Sequence, residues 1–277
     1  MTRRVLSRHK CALIIGNNEY ENGAKLYCSK NDATDISRTL GRIGFETTLK
    51  INLSTRDMDH EINAFVNKIR PNNLVVFFFS GHGMQHQGET YLIPIDNEDM
   101  LNNPEFFETN AISVQRTVES MVARAPFCVV CFLDCCRSNV ADQFTSERRP
   151  FYITHNLRTE NSHRMKNECG SLIVYACGLD EKAFDRSPNR RTRLFTFHLL
   201  KNITRSNLHV EDMLNDVCAG VRKDSGGELR VHRQSSLDNS TIYLNAVEPD
   251  MIEQSVNGEY ILIKFCSFSQ KYNEKIK

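Results

Sequence analysis

The chain of 277 residues has no tryptophan and only seven prolines, and it lacks any apolar run long enough to cross a bilayer. Runs such as Leu74–Phe79 fall far short of the roughly 20 residues that a membrane helix requires. An excess of either charge is also missing: 35 Lys and Arg stand against 34 Asp and Glu, for a net charge of +1. That balance argues against nucleic acid or an anionic membrane surface as a partner, because such roles normally leave a basic excess. The basic stretch Met1–Lys10 is followed by an apolar run, Cys11–Ile15, too short for the core of a secretory signal. A cytoplasmic location is therefore expected, with the ten cysteines free in a reducing compartment.

Cys128 and Cys131 have CxxC spacing, yet both lie in one apolar run, where residues three apart on a strand face opposite ways. No second CxxC completes a metal site, so the two read as core thiols, and no metal or other cofactor is expected.

What the sequence does contain is an alternation of two patterns. Cys11–Ile15, Leu74–Phe79, Phe127–Leu133 and Leu172–Ala176 are continuously apolar, as strands buried on both faces of a parallel sheet are. Phe45–Ile51 and Thr241–Leu244 are weaker strand candidates. Between them apolar residues step by three and four: Ala33, Ile36, Leu40 and Ile43; Ile62, Phe65, Val66 and Ile69; Val114, Val118, Met121 and Val122. Two more helical stripes follow, through Leu194, Phe197, Leu200 and Ile203 and through Val210, Met213, Leu214, Val217 and Val221. Ser29, Ser54 and Ser113 stand where N-caps belong. Strands alternating with helices predict an α/β sandwich, a mostly parallel sheet with helices on both faces. The segment Ser138–Glu168 interrupts the alternation; it is polar and carries Arg148, Arg149, Arg158, Arg164 and Lys166. After Val247 come a turn signal at Asn257-Gly258 and a possible strand, Tyr260–Phe265.

Active sites of open α/β sheets lie beyond the carboxyl ends of the strands. There the run Leu74–Phe79 leads into Ser80-Gly81-His82-Gly83, and Phe127–Leu133 leads into Asp134-Cys135-Cys136-Arg137-Ser138. Flanking glycines let a chain or ligand approach closely. A thiol attacks a carbonyl as thiolate, so it needs a nearby base, and a histidine on an adjacent loop is one. Cys135 and Cys136 face opposite ways if the chain is extended, so only one of them can look toward His82; geometry alone leaves the choice open.

These two loops, in this order, resemble the caspase-like clan of cysteine peptidases, with paracaspases nearest and metacaspases next. His82 and Cys136 are 54 residues apart, and in caspases the histidine lies about 50 residues upstream of the cysteine. The likeness runs from about Lys10 to Asn245 and includes Gly16-Asn17 after the first strand and the stretch Tyr91–Asp96. It implies a three-layer sandwich with a six-stranded sheet. Residues 1–247 would form the catalytic domain, divided into a large-subunit-like part (1–140), a loop (138–168) and a small-subunit-like part (169–247), with 248–277 as an extension.

The resemblance also implies roles. Both nearest families have an Asp, one residue, then the nucleophile, which selects Cys136; His82 is then the base, and the N–H groups of Gly83 and Cys136 form the oxyanion hole. Caspases that cut after Asp read Gln-Ala-Cys-Arg-Gly, whereas this chain has Asp134 in place of the Gln. The three acids of the paracaspase specificity pocket correspond to Asp32, Asp134 and Asp185, so cleavage after Arg, with Lys second, is expected. Each acid also has a plainer reading: a helix-start charge for Asp32, a cap of the helix following its strand for Asp134, and a solvated loop charge for Asp185. Met84–Glu89 holds one carboxylate, too few for calcium, so calcium independence is expected. A homodimer through Ser240–Leu244 and self-cleavage at Arg158 or Arg164 complete the expectations. The alternatives are a catalytically inactive scaffold and a calcium-dependent metacaspase.

Overall fold

The structure, a computed structural model, describes residues 8–22, 25–97, 104–139, 170–178, 187–237 and 241–247, together with the backbone of two strands at 251–256 and 259–264. The chain begins β1 (Lys10–Gly16), α1 (Ser29–Arg42), β2 (Glu46–Ile51), α2 (Thr55–Lys68) and β3 (Leu74–Ser80). It continues through β4 (Gly83–His86), β5 (Glu89–Leu92), α3 (Pro104–Asn110), β6 (Ile112–Ser113), α4 (Val114–Val122), β7 (Cys128–Asp134) and β8 (Ser138–Asn139). Then come β9 (Gly170–Tyr175), α5 (Leu194–Asn202), α6 (Val210–Asp224), β10 (His232–Ser235), β11 (Met251–Val256) and β12 (Glu259–Lys264).

The main sheet has six strands in the order β10-β9-β7-β3-β1-β2. Every pairing is parallel except β10 with β9. Strands β1, β3 and β7 are apolar on both faces because both faces are covered. Ile14, Val76, Phe78, Val130 and Phe132 pack beneath α1, α5 and α6. Leu13, Phe77, Val129 and Cys131 pack beneath α2 and α4. Cys128 joins the first core and Cys131 the second, as strand alternation requires of residues three apart. The expected α/β sandwich is the architecture found.

Two of the three expected caps hold. Ser54 Oγ accepts the Asp57 N–H and Ser113 Oγ accepts the Arg116 N–H, each at 3.2 Å. Ser29 is instead the first helical residue of α1, buried, and Cys28 precedes it without a side-chain cap. The strand expected at Thr241–Leu244 is also corrected. Ile242 and Leu244 are core residues, but the segment makes a single antiparallel bridge, His209 to Tyr243. Its backbone is taken up by the turn before α6, where Asn207 N–H donates to Asn245 O and Val210 N–H to Ile242 O, both at 2.9 Å. The sixth strand is β10, a polar segment with no apolar run to announce it. Ser240 lies outside the described residues, so the expected dimer strand Ser240–Leu244 is absent over the part that is described.

A second sheet, in the order β6-β5-β4-β8, grows from the end of β3. Its β4–β5 hairpin turns at Gln87 and Gly88, with φ of 49° and 86°, the positive values at both positions that a two-residue type I′ turn demands. Ser138 and Asn139, expected to open a long loop, pair in parallel with Met84 and Gln85 instead. Arg148, Arg149, Arg158, Arg164 and Lys166 lie outside the described residues. In the tail β11 and β12 pair antiparallel, with Val256 opposite Glu259; the turn expected at Asn257-Gly258 lies outside the described residues.

Candidate active site

The site follows from strand register. β3 and β7 run parallel with Ser80 opposite Asp134, so the chain segments leaving both strands emerge side by side. Gly81 N–H donates to Asp134 O at 3.3 Å, and His82 and Cys136 each lie two residues beyond that pair. Gly83 then closes the gap: a Cβ there would sit 2.6 Å from Cys135 Sγ and 2.7 Å from Cys136 O. No ordinary Cβ tolerates that approach, so the glycine lets the histidine loop lie against the cysteine loop.

His82 is half-buried and held by Tyr20. Its backbone N–H donates to Tyr20 Oη at 2.7 Å, and the two rings stack at a tilt, with centroids 4.3 Å apart and planes at 53°. The Tyr20 hydroxyl donates in turn to Ile93 O at 3.3 Å, while Ile93 N–H donates to His82 O at 3.0 Å. Gly81 makes room for this, since a Cβ there would lie 2.5 Å from Tyr20 Oη. Burial pushes the Tyr20 hydroxyl pKa up, which keeps it a neutral partner. Sequence reasoning missed Tyr20: it stands in the polar stretch between β1 and α1, where no periodicity marks it.

The two cysteines separate by burial. Cys135 is fully buried against Leu133 and Cys131, and burial, followed by the neighbouring Cys177, pushes its thiol pKa well up. Cys177 Sγ donates to Cys135 O at 3.3 Å. Cys136 is the half-buried one and the member of the pair that solvent reaches.

Asp32 and Asp134 are drawn together in the interior, 0% and 1% exposed. Asp32, in the first turn of α1, accepts from Ser80 Oγ at 2.8 Å and from the Arg193 N–H at 3.0 Å. Asp134 accepts from the Thr196 N–H at 3.2 Å and from Thr196 Oγ1 at 2.6 Å. It therefore does cap a helix, but α5 from far along the chain rather than the helix after its own strand. Burial, then the charge of Asp134, hold the Asp32 carboxyl pKa well above the usual range, with Arg193 acting in the opposite sense. Asp185 lies outside the described residues. The other five expected site residues, Asp32, His82, Gly83, Asp134 and Cys136, gather at the carboxyl ends of β3 and β7. Among the described residues, no three His, Cys, Asp or Glu side chains are grouped to hold a metal ion, and no helix is long and apolar enough to cross a membrane.

A family model, the caspase domain, matches residues 9–242. The chain belongs to the caspase family. Two curated relatives, the mucosa-associated lymphoid tissue lymphoma translocation protein 1 of Homo sapiens and its Mus musculus homolog, are each 25% identical over 136 residues. That match takes in 49% of this chain and 16% of each relative, so the chain spans about a sixth of their length. A crystal structure of a Geobacter sulfurreducens protein superposes with a TM-score of 0.58 over 86% of this chain and 97% of that one, at 14% identity; it bears on the fold alone. The clan expected from the two loop motifs is thus the one found, with its paracaspase relationship.

Within this caspase domain Arg137, next to Cys136, is buried with its guanidinium 4.1 Å above the Tyr175 ring. It anchors the cysteine loop on β9. Arg137 was read as part of the cysteine-loop motif but given no role, and Arg193 did not stand out in the sequence, where a lone arginine looks like any surface charge.

Proposed function

We propose that this caspase-family domain is a cysteine endopeptidase with His82 and Cys136 as its dyad, cleaving after Arg and, less readily, Lys. The observation that carries this is the Ser80–Asp134 register with Gly83 against Cys135 and Cys136, which sets a histidine loop and an accessible thiol side by side. His82 takes the thiol proton as Cys136 Sγ bonds to the substrate carbonyl carbon. The oxygen gains negative charge, which the N–H groups of Gly83 and Cys136 stabilise; losing one such donor typically costs about 2.7–4 kcal/mol of transition-state stabilisation. Collapse breaks the C–N bond, His82 returns the proton to the leaving amine, and water then hydrolyses the thioester.

The preference for a basic side chain rests on Asp32 and Asp134, two buried acids at the same carboxyl ends of the strands, with Asp185 as the third acid by family correspondence. An acidic substrate side chain would meet like charge there. Calcium independence, a catalytic domain over 1–247, a cytoplasmic setting and protein substrates belong to the same reading. So do self-cleavage at Arg158 or Arg164 and a homodimer. The rival is a domain kept as an inactive scaffold, since fold does not dictate activity.

The test is hydrolysis of matched peptides ending in Arg, Lys or Asp by wild type, Cys136→Ala and Cys135→Ala, with and without calcium. Arg cleavage lost in Cys136→Ala and retained in Cys135→Ala supports the dyad and the pocket together. Preference for the Asp peptide would refute the pocket, and silence of the wild type under every condition would favour the scaffold.

A further inference from the structure

The cation already present at the site is the chain's own. Arg193 is 2% exposed, among the largest fully buried side chains. Its Nη1 donates to Asp134 O at 2.8 Å and to Gly81 O at 3.3 Å, and lies 3.9 Å from Asp134 Oδ1. Those two carbonyls belong to the two candidate catalytic loops, the residue before His82 and the residue two before Cys136. One guanidinium nitrogen thus spans both loops and lies beside the Asp134 carboxylate.

Arg193 is also pinned at its backbone. Its N–H donates to Asp32 Oδ1 at 3.0 Å. Two residues earlier, Arg191 grips Asp35 with a two-pronged ion pair, Nε to Oδ2 at 2.8 Å and Nη2 to Oδ1 at 3.0 Å. Asn31 Nδ2 donates to Arg191 O at 3.2 Å, and three residues on, Thr196 holds Asp134. The segment is stitched to α1 on one side and β7 on the other, so the side chain is built in.

We propose that Arg193 is a positioning residue: the resident counter-ion of Asp134, whose guanidinium sets the distance between the His82 loop and the Cys136 loop by holding a carbonyl of each. Its action on catalysis rests on the peptidase reading; the cation seat itself does not. Both carbonyls, on different loops, are reached from the one Nη1, so the spacing follows from where that nitrogen sits at the end of the long side chain. Free guanidinium fits the seat that truncation leaves.

The experiment compares wild type, Arg193→Ala and Arg193→Lys in millimolar guanidinium chloride or the same concentration of sodium chloride. In Arg193→Ala we expect kcat on the Arg peptide to fall by about 100-fold, the scale of an ångström-sized misplacement, with KM little changed. Guanidinium should restore kcat several-fold and raise Tm in this variant alone. Arg193→Lys should fold, keep a low kcat and gain nothing from guanidinium, because the shorter side chain places its ammonium in the seat but short of the position of Nη1. Wild-type kcat in either variant, or an equal guanidinium response in wild type and Arg193→Ala, overturns the proposal. If Arg193→Ala does not fold with or without guanidinium, Arg193→Lys decides: reduced kcat at unchanged KM supports it, full kcat overturns it. If no form cleaves peptide, the peptidase reading falls, and the guanidinium-specific rise in Tm still reports the seat, its absence refuting it.

Discussion

Gly83→Ala tests the closeness of the two loops directly. Gly83 adopts a backbone conformation open to any L-residue, so the added methyl acts by contact alone. That methyl would lie 2.6 Å from Cys135 Sγ, 2.7 Å from Cys136 O and 2.9 Å from Cys135 Cβ. Two of these neighbours are backbone or backbone-proximal and cannot swing aside, so the loops must part by several tenths of an ångström. Overpacking of this kind costs about 1–3 kcal/mol. In a domain of this size each kcal/mol lowers Tm by roughly 2–4 °C, giving a fall of about 2–12 °C. The same displacement moves Cys136 away from His82, and an ångström of misplacement costs on the order of 100-fold in rate. Gly41→Ala is the control: it lies in α1 with nothing within 4 Å of its added Cβ, and replacing a helical glycine there should stabilise by about 0.5–1 kcal/mol. Differential scanning fluorimetry, the labelling rate of Cys136 and peptide turnover measure the outcome. A Gly83→Ala protein with the Tm, labelling and kcat of the wild type would refute the close-contact argument.

Tyr20→Phe keeps the ring against His82 but leaves the His82 N–H without its 2.7 Å acceptor. A loss of about 1–3 kcal/mol by denaturant unfolding is expected, with kcat falling more than KM changes. Asp32→Asn should flatten the dependence of stability on pH. The raised Asp32 pKa means that the folded state holds a proton the unfolded state has released above about pH 3.9. Stability from this group is therefore full below that value and declines as pH rises through the folded pKa. The wild-type-minus-variant difference in unfolding free energy should carry that downward slope, and a flat difference from acid to neutral pH would rule it out. Thr196→Val removes a 2.6 Å bond to a buried carboxylate, for which a loss of about 1.5–3 kcal/mol is expected, read by the same denaturant titration.

The cores of β1, β3, β7 and β9 were legible because a strand covered on both faces must be apolar throughout. The helices were legible because each buries one stripe. Caps at Ser54 and Ser113 were readable from local spacing, whereas Ser29 was misread because a serine inside a first turn looks like one just outside it. Thr241–Leu244 has the composition of a strand, yet its backbone partners lie in the turn before α6, and composition does not report partners. β10 was invisible for the converse reason: an antiparallel edge strand with polar residues carries no apolar signature.

The sequence by itself determined the layered α/β architecture and the two loops, Ser80-Gly81-His82-Gly83 and Asp134-Cys135-Cys136, because periodicity and motif are properties of contiguous residues. Only the tertiary structure decided the rest. The pairing of Ser80 with Asp134 sets the two loops side by side, and burial separates Cys135 from Cys136. Tyr20 lies beneath His82, and Arg193 sits between two acids, one 161 and one 59 residues away in the chain. Such contacts join residues that no local pattern relates; their energies come from burial and from donor geometry, which exist only once the sheet has formed.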